Sequence, residues 1–376
     1  MKEISKLISE EDLVAEDLAY LRNNLTDELA EMSGQHMLIT GGAGFLGYYF
    51  VKTALDWNRV NPDSPPIRVT VWDNFMRGVP GWLEASQSDP ALNVVKQDLI
   101  QPLPDGMTDF QYIVHAAGIA SPIYYRRYPI ECIDANINGL RNLLDYSVAQ
   151  RDKGAPVKAF LFFSSSEIYG DPAADQIPTP EDYRGNVSCT GPRACYDESK
   201  RFGETLCVNF ARQFDLPVKI ARPFNNYGPG LKITDRRVLP DFARNVLDGD
   251  DIVMFSDGSP TRTFCYSADA LTGYYKVLVR GHQGESYNIG IERPEISMRE
   301  LAELVIDKAC ILFNYGGKLV TGAAEDKDYL VDNPNRRCPV IDKARSHLDY
   351  EPKVECEEGV TRSLVWYYHN KQAAEA

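Results

Sequence analysis

Met37-Leu-Ile-Thr-Gly-Gly-Ala-Gly-Phe-Leu-Gly-Tyr-Tyr49 decides how this chain folds: a short apolar run, glycines at Gly41, Gly44 and Gly47, then an apolar pattern of helical period. Glycine alone lets a strand turn sharply into a helix, lets backbone N–H groups approach a pyrophosphate, and lets the helix pack closely on the strand. A second apolar run, Arg68-Val-Thr-Val-Trp72, follows the helical pattern and ends in Asp73. That is where a carboxylate accepts hydrogen bonds from an adenosine ribose, so the stretch reads as a dinucleotide site. The acid also disfavours a 2'-phosphate, which points to NAD over NADP.

Outward from this motif, Met37–Thr40, Val69–Trp72, Val94–Val95, Tyr112–His115, Ala159–Ser164 and Val218–Ala221 are short apolar runs separated by longer helical patterns. The alternation predicts parallel strands joined by right-handed crossovers, an α/β doubly wound parallel sheet of Rossmann type. Ligands of such sheets sit beyond the carboxyl ends of the strands. Asp98 and the loop His115-Ala-Ala-Gly-Ile-Ala120 follow two of the runs and are candidates for adenine contact and close cofactor approach. Before the motif, Val14, Leu18, Leu21, Leu25, Leu29 and Met32 recur at steps of three and four among acids. One amphipathic helix over Ile8 to Met32 is expected, with Ser9 as its cap, packed on the body or on a partner subunit. The expected organisation is an N-terminal helical extension over 1–35, a nucleotide-binding domain over 36–225, and a smaller, partly interleaved substrate-binding region over 226–376.

Composition bounds the function. The chain has 376 residues, 44% of them hydrophobic, enough for a substantial core. No run approaches the roughly 18 to 20 apolar residues that cross a bilayer, and the acidic N-terminus is unlike a secretory signal, so a soluble cytoplasmic protein is expected. A net charge of -14 argues against nonspecific binding to nucleic acid or anionic membranes. Eight cysteines without a Cys-x-x-Cys pair indicate free thiols and no metal site.

Tyr196-Asp-Glu-Ser-Lys200 places a phenol and an ammonium one turn apart on a helix face, where the cation could lower the phenol's pKa and make Tyr196 a base. The spacing is common by chance. With 21 tyrosines it occurs three times, and Tyr48 with Lys52 and Tyr367 with Lys371 read as surface pairs. Only Tyr196 follows, after about thirty residues, a strand that stops at Phe163-Ser-Ser-Ser-Glu-Ile-Tyr-Gly-Asp171. Hydroxyls there could bind a substrate oxygen whose proton Tyr196 removes, with Glu167 as a second acid or base.

Together these residues resemble the extended short-chain dehydrogenases that act on nucleotide sugars: Thr40 to Gly47, Ser164 to Gly170, Tyr196-x-x-x-Lys200 and Arg222-Pro-Phe-Asn225 stand in that family's order. The resemblance covers about residues 37 to 352. Within the family it is most similar to the UDP-glucuronate decarboxylases, through Ser121-Pro122, Tyr125, Pro129, Ser166-Glu167, Gly185-Asn-Val187, Gly191 to Glu198 with Lys200-Arg201, Thr261-Arg-Thr-Phe264 and Asn333-Pro-Asn-Arg-Arg337.

The resemblance implies a cycle in which Tyr196 takes the 4-hydroxyl proton, the C4 hydride passes to tightly held NAD, and the resulting 4-ketone lets the C5 carboxylate leave as carbon dioxide before the hydride returns. Ser165 or Ser166 would polarise the 4-oxygen, Lys200 would bind the nicotinamide ribose, and Glu167 would act near C5. NAD would lie on Gly41, Gly44, Phe45, Leu46, Gly47, Asp73, Asn74, Asp98, Leu99, Ala116, Ala117 and Pro223, with Tyr196 and Lys200. Asn225, Arg237 and Arg262 would hold the nucleotide diphosphate, and Tyr125 or Arg336 the sugar carboxylate. A homodimer through the helices containing Ile133 to Ser147 and Tyr196 to Phe214 is also implied. Ser165, where the decarboxylase pattern has threonine, and an epimerase-like loop at His115 are departures, so a 4,6-dehydratase or 4-epimerase acting on another nucleotide sugar is the alternative. A dehydratase would carry an Asp-Glu pair where this chain has Ser166-Glu167. From another class, the alternative is an NAD-bound scaffold or sensor.

Overall fold

The computed structural model describes residues 8–322 and 331–375. Its centre is a seven-stranded, all-parallel sheet. The strands are β1 (His36–Thr40), β2 (Arg68–Asp73), β3 (Leu92–Lys96), β4 (Tyr112–His115), β5 (Ala159–Phe163), β6 (Val218–Pro223) and a last strand, Ser286–Ile289. Their order, from the last strand, is β6, β5, β4, β1, β2, β3. The direction of the order reverses between β1 and β4, and a crevice opens there beyond the strand ends. The seventh strand comes from beyond residue 225, so the later part of the chain returns to the sheet. The short apolar content of Ser-Tyr-Asn-Ile gives no strand signal of its own.

Alternation along each strand builds two cores. Met37, Ile39, Val114, Leu161 and Phe163 face one layer, formed with α3 (Phe45–Val60) and the helix Ser267–Arg280. Leu38, Ile113, Phe160 and Phe162 face the other, formed with the helices Leu140–Asp152 and Ala194–Phe214.

The N-terminal extension is two helices rather than one: α1 (Glu10–Asn24) and α2 (Thr26–Met32), with Ser9 capping α1. Leu25 breaks the run at φ -128° and is itself fully buried, as are Leu13, Leu21, Leu29 and Met32. The break lets the stripe follow the curved body, which it covers as part of the main core. Asp17 is buried in that contact and accepts from the Tyr49 hydroxyl of α3, from Tyr266 at 2.6 Å and from Arg362 at 2.8 Å. No helix among the described residues is long and apolar enough to cross a membrane.

Candidate active site

The glycines at the end of β1 do three separate things. Gly41 has φ +68°, and a Cβ there would stand 2.6 Å from the Ala117 backbone, so the turn presses against the loop after β4. Gly44 is the N-cap of α3, which has neither a side-chain cap nor an acid in its first turn. The N–H groups that open this helix therefore have no internal partner and suit an anion. A Cβ at Gly47 would come 2.1 Å from the Gly42 carbonyl oxygen, so this glycine serves helix packing and is buried. Asp73 ends β2 and accepts from the backbone N–H of Ala43 at 3.1 Å and Phe75 at 2.9 Å, while burial raises its pKa. Besides facing the cavity, Asp73 thus ties the β1 turn to its own loop.

These groups open onto a cavity of about 700 Å³ that runs along the strand ends. Gly41, Gly44, Phe45, Leu46, Asp73, Asn74, Asp98, Leu99, Ala116, Ala117 and Pro223 line one part, and Tyr125, Ser165, Ser166, Glu167, Tyr196, Lys200, Asn225, Arg237 and Arg262 line the rest. Among the residues expected to bind cofactor or substrate, Gly47 and Arg336 do not line it. The uncapped helix start, the glycine cradle and the acid at the end of β2 fit NAD.

The helix Ala194–Phe214 begins at the cavity and carries Tyr196 and Lys200 one turn apart, both buried. Burial pushes the Tyr196 phenol up to about 12, while a hydrogen bond with Ser165 pulls it down. Burial pushes the Lys200 ammonium down to about 8, and its Nζ donates to the Phe163 carbonyl at 2.8 Å. In the protein alone, burial therefore outweighs the expected lowering of Tyr196 by its lysine. The other two tyrosines of this spacing, Tyr48 and Tyr367, are not on the surface; both are buried core, because α1 packs on both helices that carry them, α3 and the C-terminal helix Cys356–Glu375.

Asn136 joins this group without any local sequence signal. It sits in a single π turn, Ala135–Gly139, a distortion that often marks functional positions. Its Nδ2 donates to Ser199 at 2.9 Å, and its buried Oδ1 has no partner. A Cβ on Gly118 would stand 2.6 Å from that oxygen and 3.6 Å from Lys200 Nζ, so both groups converge on one face of the loop after β4.

The substrate end is built from arginines. Glu167 pairs with both Arg193 and Arg337. Burial would raise its carboxyl, but the two guanidinium groups outweigh it and hold Glu167 well below the usual carboxylate range. Ionised in this way, Glu167 is suited to only the base half of the expected acid/base role. Arg262 donates to the carbonyls of Thr261 at 2.7 Å and Pro334 at 2.6 Å; burial and the neighbouring Arg337 push it down to about 9. Asp197, packed behind Arg193, is raised by burial and by Glu167. Tyr125 stacks on Tyr196 and leaves its hydroxyl unpartnered. Asn225, at φ +41°, donates to Thr263 O at 3.0 Å, and Arg237 pairs with Asp235 at 3.0 Å.

The expectation for Arg336 is corrected. It is exposed and makes two hydrogen bonds to Glu295, at 2.9 and 2.8 Å, outside the cavity. Neighbouring residues of an extended segment point to opposite faces, so Arg337, buried on Glu167, is the one turned inward. Arg193 has a local partner in Asp197, four residues on at 3.7 Å, but its pairing with Glu167 has no local signature, because that carboxylate is 26 residues earlier in the chain.

The family model described as NAD dependent epimerase/dehydratase family matches residues 37–290. UDP-glucuronic acid decarboxylase 5 of Arabidopsis thaliana is 37% identical over 87% of this chain and 88% of its own. UDP-glucuronic acid decarboxylase 1 of Xenopus tropicalis is 33% identical over 90% of this chain and 73% of its own. Among solved structures, DesIV, a dTDP-glucose 4,6-dehydratase of Streptomyces venezuelae with NAD and TYD bound, superposes with a TM-score of 0.76 and 27% identity over 90% of this chain and 98% of its own. The chain carrying this glycine turn, tyrosine-lysine pair and arginine-lined cavity belongs to the NAD dependent epimerase/dehydratase family.

Proposed function

We propose that this protein is an NAD-dependent enzyme that oxidises a nucleotide sugar at C4 and decarboxylates it, converting UDP-glucuronate to UDP-xylose. The observation that carries the reading is the cluster of Arg193, Arg262 and Arg337 in the cavity that Tyr196 lines, offset only in part by the ionised Glu167. A cavity with that surplus of buried positive charge suits a substrate bearing a carboxylate as well as a diphosphate, since arginine binds either through paired, charge-assisted hydrogen bonds. The relatives named UDP-glucuronic acid decarboxylase support the same substrate.

Bound NAD supplies a hydride acceptor that later returns the hydride. Tyr196 takes the proton of the 4-hydroxyl, and Ser165, already hydrogen-bonded to Tyr196, orients that oxygen. Once C4 is a ketone, the C5 carboxylate is a β-keto acid; its C–C bond electrons move toward the 4-oxygen as carbon dioxide leaves, Tyr196 and Ser165 meet that developing charge, and the enolate takes a proton at C5 from solvent, which restores the 4-ketone before the hydride returns. Lys200, fixed on the Phe163 carbonyl, would hold the cofactor ribose. Arg262 and Arg237 hold the diphosphate, while Arg193 and Tyr125 face the sugar. We further propose a homodimer through the helices around Leu140–Asp152 and Ala194–Phe214, where Phe202 is half exposed.

Purified protein incubated with NAD and UDP-glucuronate should yield a nucleotide sugar lighter by one carbon dioxide in mass spectrometry. Loss of water from dTDP-glucose, with UDP-glucuronate unchanged, would replace decarboxylation by dehydration.

A further inference from the structure

Two cysteines that this chemistry does not use lie against its base. Cys132 and Cys195 share one small apolar cluster with Tyr125 and Tyr196, separate from both main cores. Cys195 precedes Tyr196 in the first turn of the helix Ala194–Phe214 and is partly exposed. Cys132 is fully buried on the helix Pro129–Asp134, which packs against that long helix. The two thiols interact directly, side chain to side chain. Cys195 also donates to the Tyr125 carbonyl at 3.4 Å, and Cys132 donates to the Ile119 carbonyl at 3.6 Å and accepts from Asn136 at 3.5 Å. One thiol is therefore attached to the residue stacked on Tyr196, and the other to the π turn beside Lys200.

The pair is chemically asymmetric. When Cys132 gives its single S–H to Cys195 in place of the Ile119 carbonyl, it pulls Cys195 down to about 7, and the helix start favours the same thiolate, while Cys132 is held high as a neutral thiol. Cys189 is more exposed and donates to Glu198 at 3.7 Å, outside this cluster.

We propose that Cys195 and Cys132 form a peroxide-sensitive dithiol whose closure to a disulfide reversibly switches off the adjacent site. The Cys195 thiolate attacks peroxide; an S–O bond forms, the O–O bond breaks and hydroxide leaves, giving a sulfenic acid. The Cys132 thiol then attacks that sulfur, an S–S bond forms and water leaves. The two thiols together lose two electrons and two protons, and the peroxide ends as two waters. The bond removes the Cys195 donor from the Tyr125 carbonyl and links the helix Pro129–Asp134 to the residue next to Tyr196, disturbing the tyrosine stack. A reducing cytoplasm reopens such a bond, which suits a transient signal. The loss of turnover rests on the proposed function; formation of the bond does not.

The test exposes the full-length protein to graded hydrogen peroxide, then alkylates it, maps its peptides and assays turnover before and after dithiothreitol. The expected result is a Cys132–Cys195 linked peptide at peroxide levels that spare Cys189 and Cys310, with turnover lost as it appears and regained on reduction. Cys195→Ser should keep basal turnover and resist peroxide, whereas Cys132→Ala should leave Cys195 as a sulfenic acid that dimedone captures. If Cys132→Ala does not fold, the Cys195→Ser comparison and the peptide map decide alone. The proposal is overturned if the linked peptide is absent until every exposed cysteine is oxidised, or if it forms with turnover unchanged.

Discussion

The ring of Tyr125 lies almost parallel to that of Tyr196, with centroids 5.2 Å apart and planes 12° apart. The guanidinium groups of Arg193 and Arg126 each stand 5.9 Å from the Tyr125 centroid, so the stacked pair is flanked by cations. Burial of Tyr196 in this stack is what raises its phenol, and the same burial excludes the water that would compete for the transferred proton.

Tyr196→Phe keeps the stack and removes the phenol. Turnover on a nucleotide sugar should fall by about 10² to 10⁴, the usual worth of a positioned base, while NAD affinity measured by fluorescence titration stays near that of the parent. Unchanged turnover would reject Tyr196 as the base.

Tyr125 separates two roles. Tyr125→Phe loses only the unpartnered hydroxyl and should raise KM, whereas Tyr125→Ala also removes the stack and should lower kcat as well. Equal kinetics for the two variants would mean that the stack does not orient Tyr196.

Adjacent arginines should behave oppositely. Arg337→Ala strips one partner from Glu167 and should lower kcat/KM strongly, while Arg336→Ala breaks only an exposed pair with Glu295 and should change stability by less than about 1 kcal/mol and leave kcat/KM alone. Because Glu167 is held below its ordinary pKa in the folded protein, its contribution to stability is present above the ordinary glutamate value and lost as pH falls toward the folded one. Acid unfolding of Arg337→Ala should consequently be shallower in that range; superimposable acid transitions would contradict the ion pairing.

Lys200 gives stability a pH dependence of the same sign, in an alkaline window and for the opposite reason: burial disfavours its charged form. Its folded pKa of about 8 lies below its ordinary 10.5, so the unfolded chain binds more protons between those values and the parent gains stability as pH rises through that window. Relative to Lys200→Met, which cannot titrate, the gain should approach about 3 kcal/mol in denaturant titrations without cofactor. A difference that stays constant from pH 7 to pH 11 would show that Lys200 is not buried as a cation.

Loss of Asp17 tests whether the extension is a working part of the fold. Asp17→Ala leaves two tyrosine hydroxyls in the core without their acceptor and removes one of the carboxylates around Arg362, which keeps Glu16 and Glu358; it should cost about 1 to 3 kcal/mol, whereas Asp17→Asn, which keeps acceptor capacity, should cost less. Because Tyr49 lies on α3, beside the glycine turn, the Ala variant should also bind NAD more weakly; thermal unfolding with and without NAD reads both effects.

Much of the doubly wound sheet was legible in the chain because its signals are local. Short apolar runs alternate with helical periods, and the turn at Gly41 needs a conformation and a closeness that glycine alone permits. Tyr196 and Lys200 were legible only through the polar strand end before them, since Tyr48 and Tyr367 share the spacing and are core. The break at Leu25 and the strand Ser286–Ile289 were not, because each exists to satisfy a surface built elsewhere: the curved body under α1 and the open edge of β6. Arg262 and Arg237 were expected at the site, but the pairing of Arg193 and Arg337 with Glu167 was decided by tertiary structure alone. Asn136 meets Ser199 across 63 residues and Arg337 meets Glu167 across 170, and whether Arg336 or Arg337 faces inward depends on the register in which a two-residue strand pairs with Thr261 and Arg262. A one-residue shift of that register reverses which side chain enters the cavity, and no property of the two arginines themselves distinguishes them.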